Sequence, residues 1–236
     1  MFNLFNKSLK SGITKTHDLL KFFMAKDSKG KFSKCFKFSQ RIQVDDIASH
    51  LSNFIAESLK DEISLKETKE FVYYVSTEIL NNVCDHSNAS GLAQAKFDKD
   101  DFMICVSDCG VGIPSRIFSR FPEIKKSKDA ILKSLERGVS VSENRIYGGE
   151  RNRGYGFFIT SGFLKYFEDM ELLIVSDDGV IFANHQETRA LSLDTCFKGV
   201  FVCIKSSFMG IDKQNYEVSS IVRDIIGFED EDSLIF

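Results

Sequence analysis

The 236-residue sequence has no tryptophan, only two prolines and no apolar run of 18 residues or more. A membrane-spanning helix needs such a run, so we expect none. None of the six cysteines stands in a CxxC pair, and no histidine accompanies them at the spacing of a zinc site. The first ten residues, MFNLFNKSLK, lack the sustained apolar core of a signal peptide. These absences predict a cytoplasmic protein whose thiols stay reduced.

Two nucleotide-binding strings are also missing. Neither GxGxxG nor GxxxxGKS/T occurs, which excludes the dinucleotide-binding fingerprint and the Walker loop. The composition itself favours a folded core, because 43% of the residues are hydrophobic and 23 are phenylalanine. A chain of this length accommodates one good-sized domain with additions, or two small domains.

The formal net charge of −3 conceals an uneven distribution. Residues 1–41 hold nine lysines, one arginine and two aspartates, a net charge of +8, which leaves −11 for the rest of the chain. Such a segment suits contact with an acidic protein partner or, less well, with nucleic acid. We favour a solvated and partly mobile basic segment over residues 1–40, because its Phe and Lys residues follow no known binding pattern.

The order of periodic segments predicts the fold class. The predicted helices cover residues 45–60, 65–86 and 157–167. The predicted strands lie at residues 92–97, 102–107, 171–177, 180–184 and 199–208, with a short edge strand within 35–42. Residues 115–153 are charged and indicate a mobile connection that contains a helix; the tail from Asp224 has five acids in thirteen residues and indicates a surface segment. We expect an α+β fold, a two-layer sandwich with helices covering one face of a mixed, mainly antiparallel sheet.

One helix face in the stretch STEILNNVCDHS, residues 76–87, has an unusual composition. Glu78, Asn82 and Asp85 follow i, i+4, i+7 spacing and fall within about 60° of one another. Solvated faces normally mix lysine with glutamate, whereas this one offers only carboxylates and amides. Such a face suits a hydrated divalent cation with its anionic ligand; the alternative is a solvated face without cations.

Two glycine stretches follow this helix. In VSDCGVGIP, residues 106–114, Asp108 ends a predicted strand, and Gly110 and Gly112 allow a tight backbone beyond it. In NRGYGFFIT, residues 152–160, two glycines precede a helix, where exposed amides form a site for anions. Taken singly, each stretch is also explained by an ordinary turn or a glycine-rich loop.

In combination and order, these motifs resemble those of the GHKL ATPase superfamily, which includes DNA gyrase B, heat-shock chaperones, sensor histidine kinases and MutL-type repair proteins. TEILNNVCDHS is similar to its N-box, DCGVGIP to its first glycine box, NRGYG to its second, and KGVFVCI, residues 198–204, to its last. The resemblance covers residues from about 40 to 206. It implies a Bergerat-type ATP-binding domain over residues 41–210 with a lid at about 115–153, preceded by the basic segment and followed by an acidic tail, 211–236.

The resemblance also implies roles for individual residues. Asn82 would be the Mg²⁺ ligand, and Glu78 the catalytic residue that activates the attacking nucleophile. Asp108 would accept the hydrogen bond of the adenine 6-amino group. The other residues implied to contact ATP are Asp85, Gly110, Gly112, Ile113, Arg153, Gly154, Tyr155, Gly156, Phe157 and Val200, with His86 on the same helix face as Asp85. Val200 stands where the superfamily usually has threonine, a change that weakens binding or relaxes the choice of base.

Nucleotide binding alone does not define the function. His17 has too few residues around it for the phosphoacceptor hairpin of a sensor kinase, and about 30 residues after the last motif leave no room for a transducer domain. We therefore expect a stand-alone module similar to bacterial anti-sigma kinases: a regulatory ATPase or a protein Ser/Thr kinase acting on a protein partner. The alternative is a non-catalytic ATP-gated interaction switch. The oligomeric state stays open, a dimer included, and removal of residues 1–34 is expected to leave ATP binding intact.

Overall fold

The computed structural model of the chain describes residues 1–25, 30–57, 59, 62–87, 89–139, 156–208 and 217–227. The helices in these ranges are α1 (Phe2–Lys10), α2 (Thr16–Phe23), α3 (Val44–Ala56), α4 (Glu62–His86), α5 (Gly112–Arg120), α6 (Ser127–Ser134), α7 (Gly156–Gly162) and α8 (Val218–Ile226). The strands are β1 (Lys31–Phe32), β2 (Phe36–Phe38), β3 (Gly91–Phe97), β4 (Asp101–Asp108), β5 (Glu171–Asn184) and β6 (Thr188–Ser207). Short 3₁₀ turns cover Arg41–Gln43 and Phe163–Lys165. None of the described helices is long and apolar enough to cross a membrane.

The strands form one sheet in the order β1-β3-β4-β6-β5, and β2 also pairs with β3. All pairs of these strands are antiparallel. The central strand β4 ends at Asp108, which lies opposite Gly91 on one side and Val200 on the other. The sequence therefore predicted the fold class correctly: the chain is an α+β protein with a mainly antiparallel sheet packed against helices.

The first face of the sheet is covered by α3, α4, α7 and α8. The apolar stripes of α3 and α4 point into this core, which includes Ile47, Leu51, Val72, Val75 and Ile79. Phe71 stands at its centre, fully buried, with its ring 4.9 Å from that of Phe167. Burial of a side chain of this size contributes about 2–3 kcal/mol, so this core fixes α4 on the sheet.

The second face is covered by α1 and α2, which corrects two expectations: that residues 1–40 form a solvated arm, and that helices cover only one face of the sheet. Phe5, Leu19, Leu20 and Phe23 from these helices are buried in a second apolar cluster with Cys105, Leu173, Phe201 and Cys203 from the sheet. The reason lies in β4, where every residue from Phe102 to Asp108 is buried. A strand with one solvated face would alternate between buried and exposed residues, so β4 needs cover on both faces. The lysines of α1 and α2 lie on the outer side of an amphipathic layer.

Two further segments are more packed than the sequence indicates. In the segment expected to be a mobile lid, 115–153, α6 packs on β5 and buries Ala130 and Ile131 completely; residues 140–153 lie outside the described residues. Part of the expected acidic tail is α8, which buries Val218 and Ile221 in the first core. Both helices are short and have charged residues on one side. The overall composition of these segments is therefore polar, although each helix has an apolar side.

The last two strands are longer than expected. The segments 171–177 and 180–184 belong to one strand, β5, with an irregularity between Ser176 and Gly179. Asp177 at this irregularity has φ +56°, a value that non-glycine residues seldom adopt. The strand expected at 199–208 begins at Thr188, because residues 188–192 pair with the far half of β5.

Candidate functional site

A cleft opens on the first face of the sheet, at the end where β4 and α4 finish. Its cavity has a volume of about 80 Å³. Its walls come from α4, β4, α5, α6, α7 and β6. Most of the lining side chains are apolar, and Asn82, Asp108 and Arg116 provide polar groups among them. An apolar cleft with a few convergent polar groups is the usual form of a small-molecule site.

Asp108 provides a carboxylate at the end of β4 that is only 2% exposed. The backbone N–H of Gly110 donates a hydrogen bond to its Oδ1 over 2.7 Å. Burial raises the pKa of Asp108 to about 6, while hydrogen bonds from the backbone of Gly110 and Val200 and the positive charge of Arg116 oppose that rise. The carboxylate is therefore largely ionised at neutral pH and acts as a hydrogen-bond acceptor in an apolar wall.

Two glycines allow the backbone to pack tightly around Asp108. Gly199 has φ +94°, and a Cβ there would lie 2.0 Å from the Asp108 carbonyl oxygen. A Cβ on Gly110 would lie 2.0 Å from the carbonyl oxygen of Ser87. Any side chain at either position would displace backbone, so both glycines are required for the close approach of the loop after β4 to its neighbours.

The polar face of α4 meets the start of α7 beside the cleft. A Cβ on Gly156 would lie 2.8 Å from Glu78 Oε2 and 3.3 Å from Asn82 Nδ2, so the glycine backbone rests against both side chains. Asn82 lines the cleft, and its buried Nδ2 has no hydrogen-bond partner among the described residues. A buried N–H without a partner is costly, which favours a polar ligand at this point.

Glu78 lies one turn before Asn82 and is partly buried. Burial raises the pKa of its carboxyl to about 7; the charge of Arg41 opposes this rise and that of Asp85 adds to it. A carboxyl with this pKa exchanges its proton near neutral pH, as a general base or acid must. Glu78 does not line the cleft itself and stands at its margin.

Asp85 is held by a residue that the sequence did not single out. Arg41 Nη2 lies 3.2 Å from Asp85 Oδ2, and Arg41 Nε donates to Asn81 Oδ1 over 3.3 Å. Asp85 is outside the cleft lining, so its described contact is this ion pair. One feature of the sequence indicates such a partner. The α4 face has carboxylates and no lysine, so the negative charge of Asp85 must be balanced by a residue from another element.

The structure brings six of the predicted nucleotide contacts into the cleft lining: Asn82, Asp108, Gly112, Ile113, Phe157 and Val200. Gly110 supports Asp108 from behind, and Gly156 stands beside Glu78 at the margin. The predicted contacts Arg153, Gly154 and Tyr155, together with the side chain of His86, lie outside what the structure describes.

Sequence reasoning missed the contribution of α5 and α6. Arg116, Ile117 and Ser134 line the cleft from a segment interpreted as a lid. It also missed Ser176 on β5, whose hydroxyl accepts from the Ile113 N–H over 3.0 Å and donates to the Gly199 carbonyl over 2.8 Å. Ser134 and Ser176 are distant from the motifs in the chain and meet them only in the folded protein, whereas Arg116 and Ile117 follow the first glycine stretch closely.

No protein-family model matches the sequence, and no curated protein matches it.

Proposed function

We propose that this chain is a Mg²⁺-dependent ATP-binding protein of the GHKL type, with a Bergerat-type fold, located in the cytoplasm. It acts as a regulatory ATPase or a protein Ser/Thr kinase on a protein partner, with no role for nucleic acid. One observation carries the proposal: residues from three motifs far apart in the chain line a single cleft. Asn82 comes from α4, Asp108 and Gly112 flank the loop after β4, and Val200 comes from β6.

The chemistry of Asp108 supports adenine as the base. Its buried carboxylate is an acceptor, and it would receive a hydrogen bond from the 6-amino group of adenine. Guanine has a carbonyl oxygen at the same place, so two acceptors would face each other in a dry wall. A hydrogen bond to a charged group contributes about 1.5–3 kcal/mol, enough for selectivity of tenfold or more. Apolar neighbours such as Val106, Ile113 and Val202 suit the faces of a flat base.

The unpartnered amide of Asn82 supports a phosphate and metal site at the mouth of the cleft. Its Oδ1 would hold Mg²⁺, and its Nδ2 has a free hydrogen-bonding capacity that phosphate oxygens fit. Magnesium is commonly held by one or two protein oxygens together with substrate phosphates and water, so one amide suffices. When bound, the ion neutralises charge on the phosphates.

Glu78 supports a catalytic role. Its pKa of about 7 allows it to accept a proton from a water molecule or a partner hydroxyl at neutral pH. A non-catalytic, ATP-gated switch is the second candidate, because Glu78 stands at the cleft margin, where the charges of Arg41 and Asp85 act on it. A regulatory partner would then bind the ATP-bound form of the protein, and ATP would not be hydrolysed.

Calorimetry with MgATP and MgGTP tests the proposal. We expect the wild type to prefer ATP, and Asp108→Asn to weaken ATP binding at least about tenfold, because an amide presents N–H groups toward the 6-amino group. Asp194→Asn removes the same charge from an exposed position on β6 and serves as the matched control. A wild type that binds no MgATP would overturn the proposal, and ATP binding unchanged in Asp108→Asn would overturn the adenine assignment.

A further inference from the structure

Thr16, at the start of α2, contacts the backbone of the residue that carries the cleft carboxylate. Its side chain is completely buried, and its Oγ1 donates to the Asp108 carbonyl oxygen over 2.6 Å. The same hydroxyl lies 3.1 Å from the Lys198 carbonyl oxygen, next to Gly199. Asp108 therefore connects the two faces of the sheet. Its side chain lines the cleft on the first face, and its backbone carbonyl accepts a hydrogen bond from α2 on the second face.

The neighbours of Thr16 strengthen this contact. Lys15 forms an isolated parallel bridge with Lys198. His17 Nδ1 lies 2.8 Å from Ser107 Oγ, on the residue before Asp108. Three consecutive residues, the N-cap Lys15 and the first two residues of α2, thus contact the end of β4 and the start of the last motif, where Gly199 allows the two backbones to approach.

The Thr16 hydroxyl has no task within its own helix. Threonine often caps a helix through its side chain, but the N-cap of α2 is Lys15, and that cap makes no side-chain hydrogen bond. Oγ1 is directed instead to carbonyls 92 and 182 residues away in the chain. A buried hydroxyl committed to such distant backbone fixes the position of one segment relative to the other.

The whole helical layer stands behind this contact. Leu19, Leu20 and Phe23 of α2 are buried against the sheet, and the Phe23 ring lies 5.1 Å from that of Phe201 on β6. Any movement of α2 away from the sheet therefore breaks the hydrogen bond to Asp108. Conversely, a ligand that fixes Asp108 favours the docked helix, since coupling between two sites is reciprocal.

We propose that Thr16 is a positioning residue for Asp108, and that it couples docking of the α1–α2 layer to recognition of the base in the cleft. This inference rests on the proposed adenine-binding function. It assigns the N-terminal helices a part in ligand affinity, which contradicts the expectation that residues 1–34 are dispensable for binding.

The test compares Thr16→Val, which keeps the shape but removes the hydroxyl, with Thr16→Ser, which keeps the hydroxyl. Ser8→Ala is the matched control, because Ser8 is equally buried in the same layer and donates to a carbonyl over 2.6 Å, but within α1. We expect Thr16→Val to weaken MgATP binding about three- to tenfold and to reduce the preference for ATP over GTP. Thr16→Ser and Ser8→Ala should bind as the wild type does.

A double-mutant cycle separates positioning from general loss of structure. In the Asp108→Asn background, Thr16→Val should have little further effect on affinity, because the group it positions no longer accepts the hydrogen bond. Hydrogen exchange gives a second readout: MgATP should slow exchange in residues 2–24 of the wild type, and not in Thr16→Val. Equal ATP affinity and selectivity in wild type and Thr16→Val, with Asp108→Asn still impaired, would overturn this inference alone. A wild type without ATP binding would overturn it together with the proposed function.

Discussion

Replacing Glu78 with glutamine should change how protein stability depends on pH, whatever the ligand. The pKa of Glu78 rises from 4.5 to about 7 in the folded protein, mainly because of burial. The folded state therefore holds this proton more tightly than the unfolded state, and stability falls as pH increases from about 4.5 to about 7. Above pH 7 the carboxylate is ionised in a partly buried place, a full cost of about 3 kcal/mol at 1.36 kcal/mol for each pH unit. Glu78→Gln removes that cost.

The expected difference follows from this linkage. Relative to the wild type, Glu78→Gln should gain about 2 to 3 kcal/mol in the free energy of unfolding between pH 5 and pH 8. Urea denaturation at several pH values, with chelator and without nucleotide, measures it. Glu70→Gln is the control, because Glu70 lies on the same helix, is 44% exposed and pairs only loosely with Lys66, 3.8 Å away.

Two charged groups act on Glu78, and Glu78 in turn acts on a third titratable group, so all three must be considered in the measurement. Arg41 favours its ionised form, Asp85 opposes it, and the charge of Glu78 in turn raises the pKa of Tyr74. Arg41→Gln should therefore raise the pKa of Glu78 further, so that the loss of stability in this variant continues to pH values above 7. A stability difference between Glu78→Gln and wild type that stays constant from pH 5 to pH 8 would refute the reasoning, since it would show that Glu78 titrates normally.

Other predictions follow from the site and the two layers. Asn82→Ala should abolish the effect of Mg²⁺ on ATP binding while leaving the melting temperature without ligand nearly unchanged; calorimetry with and without Mg²⁺ decides this, and equal Mg²⁺ dependence would make Asn82 structural. Gly199→Ala should lower the free energy of unfolding by at least about 2 kcal/mol, because it combines a positive φ with a backbone clash; denaturation showing wild-type stability would contradict the tight approach. Deletion of residues 1–24 should expose the second apolar cluster, detected as dye binding and aggregation, and a stable, monodisperse product would refute its role as cover.

The sequence predicted α3, α4 and the β3–β4 hairpin well because their patterns are local. Each has a clear apolar periodicity, and the turn between β3 and β4 is a short run of charged residues. The first eleven residues of β6, 188–198, were missed for a physical reason. Residues 188–192 pair with the far half of β5, and most of the missed segment is exposed or half-buried, so it has no apolar alternation to detect. Only the long-range pairing makes them a strand.

The candidate site divides in the same way. Asn82, Asp108 and the glycines stand within short motifs whose spacing carries the chemistry, so the sequence alone located them. Arg41, Arg116 and Thr16 have no such signal. Thr16 lies 92 residues from the carbonyl it contacts, and nothing in the residues around it indicates that distant acceptor. Side chains that support a site from another layer become recognisable only when the fold brings the layers together.

The second apolar cluster contains two cysteines whose reactivity reports whether α1 and α2 cover the sheet. Cys105 and Cys203 lie directly opposite each other on β4 and β6, fully buried under α1 and α2, and their sulfur atoms are 2.9 Å apart. Cys35 and Cys196, in contrast, are exposed. A thiol reagent should therefore react quickly with the exposed thiols of Cys35 and Cys196 and slowly with the buried thiols. Burial shields both buried thiols and also raises the pKa of Cys105. The rate of that slow reaction measures how often the N-terminal helices leave the sheet, without any added label.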